Sequence, residues 1–162
     1  MSPVDAVRHA LDRAQTVQAD LNAFCVIDAE GATRAAAQSA ERWQVGAPLS
    51  PLDGVPVTVK DIVRVNGLDM RYGSTVTEDV SALADAPSIA NLRRSGAVIL
   101  GLTNTPEFGW KAVTDSPRNG VTRNPWAPWT TPGGSSGGAA VAAVTGAGLA
   151  PVSYTHLRAH ET

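Results

Sequence analysis

Ala86-Pro87-Ser88-Ile89-Ala90-Asn91-Leu92-Arg93-Arg94-Ser95-Gly96-Ala97-Val98-Ile99-Leu100 reads as a helix followed by a short apolar strand, the local pattern of an α/β fold. Pro87 stands near the helix start, where its missing N–H goes unmissed, and Gly96 stops the helix. Upstream, Val55-Pro56-Val57-Thr58-Val59 is β-branched, follows the turn Asp53-Gly54 and ends at Lys60-Asp61, so it reads as a second strand. Pro56 cannot donate to a ladder, which places it early in that strand or on an edge. Nearer the N-terminus, Ser2, Pro3 and Asp5 form a helix start, and Val4, Val7, Leu11 and Ala14 recur at helical spacing. Phe24-Cys25-Val26-Ile27 reads as a short strand and the Ala-rich stretch 29–42 as a second helix. Residues 46–51 end it with loop chemistry. Downstream, residues 104–131 are irregular, with Pro106, Pro117, Pro125 and Pro128 spread through them, and long loops in compact domains are often functional. Residues 139–147 are rich in small residues and read as a helix.

Composition narrows the function. The chain has 162 residues, is 43% hydrophobic and carries a net charge of -2. With no basic surplus, binding to nucleic acid has no electrostatic support. A single cysteine, Cys25, cannot close an internal disulfide, so a reducing compartment, the cytoplasm, is expected. No apolar run approaches the ~18 residues of a transmembrane helix, and Met1 to Asp5 do not read as a signal peptide. There are two lysines, Lys60 and Lys111, and three histidines, His9, His156 and His160. Chemistry that needs clustered His or Cys is short of material.

Pro132-Gly133-Gly134-Ser135-Ser136-Gly137-Gly138 concentrates four of the 15 glycines in six residues. One reading is a flexible linker, but the run leads straight into a small-residue helix. A phosphate-binding loop lacks its Gly-Lys-Ser/Thr ending. A catalytic loop remains, in which glycines let backbone amides approach a substrate and a hydroxyl sits at a helix start. A serine nucleophile needs a base. His9 lies inside the first amphipathic helix and reads as an ordinary helix residue. A buried lysine with a lowered pKa can serve instead, and Lys60, directly after an apolar strand, is the better placed of the two. The competing reading of Lys60 is a solvated surface lysine, and sequence alone does not bring it to Ser135.

Four blocks resemble the amidase signature family: residues 54–61 around Lys60, Gly101-Leu102-Thr103-Asn104-Thr105-Pro106-Glu107-Phe108-Gly109, Gly120-Val121-Thr122-Arg123-Asn124-Pro125-Trp126, and 132–138. Their order and spacing agree with the family across residues 50–150. The resemblance implies an α/β/α fold with a mixed sheet core, and hydrolysis of small-molecule carboxamides through a Ser–cis-Ser–Lys triad without metal or organic cofactor. Lys60 matches the family's lysine and Ser135 the bridging serine whose preceding peptide is cis. Ser136 matches a second hydroxyl that supports the loop formed with Gly133 and Gly134. The family also includes the amidotransferase subunit that takes ammonia from glutamine for transamidation of misacylated tRNA, which works with partner subunits. A stand-alone amidase, with homodimerisation of the intact parent open, is the reading favoured by Glu107-Phe108-Gly109-Trp110 and by Trp126 and Trp129. A non-catalytic binding module is a third reading.

The family's nucleophilic serine follows the bridging serine by about two dozen residues, in a second glycine-rich stretch that also supplies the oxyanion amides. This chain has no such stretch. Val152-Ser153-Tyr154-Thr155-His156-Leu157-Arg158-Ala159-His160-Glu161-Thr162 departs abruptly from the family and resembles a translated sequencing adaptor. The expectation is that residues 1–151 are the N-terminal portion of one amidase domain, that 152–162 are a non-native tail, and that the fragment is inactive. On that reading His156 and His160 carry no metal chemistry.

Overall fold

The structure, a computed structural model, describes residues 1–78 and 81–151. Helix α1 spans Pro3–Leu21 and opens as its sequence requires, with the Ser2 hydroxyl accepting from the Asp5 N–H (3.1 Å). Strand β1 is Phe24–Ile27, and α2 is Ala29–Gln44, capped by the Asp28 carboxylate accepting from the Gly31 N–H. Then follow β2 at Pro56–Lys60, α3 at Pro87–Arg94 and β3 at Val98–Thr103. The long irregular segment contains a single 3-10 turn at Glu107–Gly109 and a two-rung hairpin, β4 (Asp115–Ser116) with β5 (Gly120–Val121). Helix α4 spans Gly137–Val144 and therefore starts inside the glycine run, two residues before the small-residue stretch.

The main sheet has the order β1-β3-β2. β1 runs antiparallel to β3 and β2 parallel to it, so the sheet is mixed as expected. Pro56 opens β2, where its missing donor is tolerated. On the far side of β2 the Thr58 N–H donates to the Leu149 carbonyl (2.7 Å) and Leu149 N–H donates to Pro56 (2.9 Å). A further parallel neighbour thus begins beside β2.

β3 continues three residues past the expected Leu100, and Gly101 is the reason. There Val57 faces Ile99 but Thr58 faces Gly101, so Leu100 is an extra residue in the ladder. Gly101 has φ 150°, and a Cβ on it would fall 2.1 Å from the Val26 carbonyl oxygen. The bulge decides which side chains face which layer. Val98 and Leu100 pack with Val7, Ala10, Leu11, Ala32 and Ala36 under α1 and α2. Ile99 and Leu102 pack with Val59, Val65 and Ile89 under α3 on the other face. A regular strand would have put Leu102 on the same side as Leu100. Helix α4 is apolar throughout and joins the α1 side through Val141 and Ala142 against Ala14, Val17 and Phe24. The result is an α/β/α sandwich.

Candidate active site

Lys60 closes β2, and β3 closes beside it at Thr103. Side chains at the carboxyl ends of parallel strands are where open α/β sheets gather their ligands. Lys60 is 5% exposed, so it is not the solvated lysine of the competing sequence reading. Its Nζ donates to Ser135 Oγ at 2.7 Å and to Ser136 Oγ at 3.1 Å. Both serines are buried. Burial disfavours the ammonium form and pushes the Lys60 pKa down to about 8. A lysine in that range releases its proton far more readily than one in water.

The chain after Lys60 is held tightly. The Asp61 N–H donates to the Thr103 carbonyl (3.1 Å), and the Asp61 carboxylate accepts from the backbone N–H groups of Arg71 (2.8 Å) and Gly73 (3.0 Å). Asp61 is fully buried, and burial pushes its pKa up against the pull of those N–H groups. The ordered turn 71–74 then meets the block after β3, where the Ser74 hydroxyl donates to the Glu107 carboxylate (2.7 Å).

The serine loop is fixed from beneath. Its Gly134–Ser135 peptide bond is cis. Gly134 lies against the backbone of Val113, where a Cβ would approach to 2.8 Å. The Gly133 carbonyl accepts from the Thr114 hydroxyl (2.8 Å), the Ser135 carbonyl from the Thr105 hydroxyl (3.3 Å). Ser136 stands at the N-cap position of α4.

All five residues singled out in the sequence therefore meet in one place: Lys60 from β2, and Gly133, Gly134, Ser135 and Ser136 from the loop before α4. Other singled-out residues do not join them. His9 is an exposed residue of α1. Trp110, Trp126 and Trp129 are largely exposed. His156, His160 and the proposed tail lie outside the described residues. Sequence reading passed over Asp61, Thr105 and Thr114. Asp61 had a signal in its adjacency to Lys60; the two threonines had none, because only the fold brings them to the loop.

Two concavities flank β2. One of about 550 Å³ lies at its Pro56 end, between Pro3 and Trp43, and its buried carboxylate, Asp53, is bound by Arg42. The other, about 250 Å³, lies along Lys60, Val63, Ile89, Leu92 and Pro151. The smaller one includes Lys60 in its wall but none of the serine loop. Among the described residues no group of His, Cys, Asp and Glu is arranged to hold a metal, and no helix is long and apolar enough to cross a membrane.

The chain matches the Amidase family over residues 5–155. It is 42% identical to an indoleacetamide hydrolase of Bradyrhizobium diazoefficiens, over 91% of this chain and 28% of that protein. It is 40% identical to a subunit of the glutamyl-tRNA(Gln) amidotransferase of Desulforapulum autotrophicum, over 88% of this chain and 29% of that one. The structure superposes on a crystal structure of an amidase with a TM-score of 0.85 at 35% identity, covering 92% of this chain and 34% of that one. The chain thus spans about a third or less of the length of these proteins. A mixed sheet in an α/β/α sandwich, a buried lysine against a serine–glycine loop, and a family match along nearly the whole sequence have one common reading: the chain belongs to the amidase family.

Proposed function

We propose that residues 1–151 are the N-terminal portion of a single amidase domain, and that the full-length protein hydrolyses a carboxamide C–N bond. The products are a carboxylate and ammonia or an amine. The observation that carries this reading is the 2.7 Å contact between Lys60 Nζ and Ser135 Oγ, two buried groups 75 residues apart. A neutral Lys60 takes the proton of Ser135. Ser135 in turn takes the proton of a nucleophilic serine that this chain does not contain. The nucleophile adds to the amide carbon, and the relayed proton returns through Ser135 to the departing nitrogen as the C–N bond breaks. Water then hydrolyses the acyl-serine ester. Ser136, with Gly133 and Gly134, supports the loop. The 162-residue chain by itself is expected to be inactive, for want of the nucleophile and its oxyanion amides.

The similarity to an indoleacetamide hydrolase favours a stand-alone amidase acting on a small amide, placed in the cytoplasm in keeping with the lone Cys25. The comparable similarity to a glutamyl-tRNA(Gln) amidotransferase subunit keeps a second reading, glutamine hydrolysis within a multi-subunit enzyme. Indole-3-acetamide and glutamine are the two probe substrates that separate them, and light scattering of the active protein tells a homodimer from a heteromeric complex. In the full-length protein, Lys60→Ala and Ser135→Ala are each expected to lower kcat by about 10²–10⁴-fold, the range of a lost general acid–base group. Unchanged turnover in either variant would overturn the assignment of roles.

A further inference from the structure

Thr114 stands in the long irregular segment between β3 and α4, and it is 1% exposed. Its hydroxyl donates to the Gly133 carbonyl (2.8 Å) and accepts from the Gly137 N–H (3.0 Å). Those two bonds fall on either side of Ser135 and Ser136. One hydroxyl thereby closes the serine loop at both ends, spending its single donor on one end and one of its acceptor positions on the other. Thr114 is itself anchored. Its carbonyl accepts from the Thr122 N–H (3.0 Å), the Thr122 hydroxyl donates to the Asn22 carbonyl (2.6 Å), and the Arg123 N–H donates to Leu21 (2.8 Å). The β4–β5 hairpin thus ties Thr114 to the end of α1, a long helix of the main core.

We propose that Thr114 is a positioning residue of the active site: its hydroxyl, bonded to the loop on both sides of the serine pair, holds the Ser135 hydroxyl against Lys60. This rests on the lysine–serine relay proposed above. Without the Thr114 hydroxyl, the Gly133 carbonyl and the Gly137 N–H lose their shared partner, and the loop between them is free to draw water. Water at Lys60 then restores the lysine's ordinary basicity, because burial is what lowers it.

The test uses Thr114→Val, which keeps the branched shape and removes both hydrogen bonds, and Thr114→Ser, which keeps the hydroxyl. Both are made in the full-length protein. The ¹³Cε resonance of Lys60, assigned by its loss in Lys60→Arg, is titrated by NMR, and kcat and KM are measured on the probe amide. Thr114→Val is expected to shift the Lys60 midpoint from about 8 toward 10.5. Its kcat is expected to fall about 10²-fold with KM unchanged, as for a small misplacement of a reacting group. Thr114→Ser is expected to keep the wild-type midpoint and kcat. A Thr114→Val protein with both values unchanged overturns the proposal, as does a Thr114→Ser protein that loses as much as Thr114→Val. If Thr114→Val does not melt cooperatively, Thr114→Ala takes its place in the same comparison. The Lys60 titration reads the loop without turnover. If Lys60→Ala retained activity, the relay would fail while the titration still decided the role of Thr114.

Discussion

Lys60 is a strand residue whose charge the fold does not welcome. Its pKa of about 8, against the ordinary 10.5, means that above about pH 8 the folded protein has released a proton that the unfolded chain still holds. The unfolded state then binds more protons, so stability rises with pH across the window from about 8 to 10.5. Urea denaturation of full-length wild type and Lys60→Met at the two ends of that window is expected to show the difference moving in favour of the wild type at the higher pH. A difference independent of pH contradicts a buried, depressed lysine. Little of this was legible in the residue itself. Val55 to Val59 announce a strand, but whether the lysine ending it meets water or Ser135 depends on a loop 75 residues away. The serine–glycine run was conspicuous in composition and read as a catalytic loop, while the part proposed for each serine came only from resemblance to a family. Thr114 and Thr105, which hold that run, look like any threonines of a loop, because their partners come from topology and not from neighbours in sequence.

At the scale of elements, the helices and strands were legible where local rules act alone. Ser2 and Pro3 begin α1, Asp28 caps α2, and Pro56 stands first in β2. What local rules miss is the bulge in β3. Gly101 looks like the end of a strand in sequence, yet it lets β3 continue to Thr103 and turns Leu102 to the opposite face from Leu100. Gly101→Ala sets a Cβ against the Val26 carbonyl, a backbone atom that cannot step aside. We expect it to destabilise the full-length protein by about 2–3 kcal/mol, the upper part of the usual range for one substitution. Leu100→Ala, at a fully buried position between β3 and the α1–α2 layer, is expected to cost about 2–5 kcal/mol. Chemical denaturation measures both. A Gly101→Ala protein as stable as wild type would mean that β3 is not bulged there.

At the scale of the molecule, the described residues form a sandwich whose main sheet has the order β1-β3-β2. On the side of β2 away from β3, Leu149 is the one partner among the described residues, and Leu149 is exposed. An unpaired strand edge beside exposed apolar side chains is a template for association. The 162-residue chain is therefore expected to aggregate and to lack a sharp thermal transition in scanning calorimetry, and a monodisperse, cooperatively melting product would count against its being part of one larger domain. The α/β class was legible from a helix followed by an apolar strand, and the α/β/α layering only from the family resemblance. The layer each strand residue faces was not, because the bulge sets it. The central claim, that Lys60 serves as the base of an amide-hydrolysing relay, is tested most directly by the pH dependence of kcat/KM of the full-length protein on its amide. The result expected is a rate that climbs with pH to a plateau, with its midpoint near the Lys60 value of about 8, and a climb that disappears in Lys60→Ala. A rate that does not vary through that range, or the same climb persisting in Lys60→Ala, would contradict it.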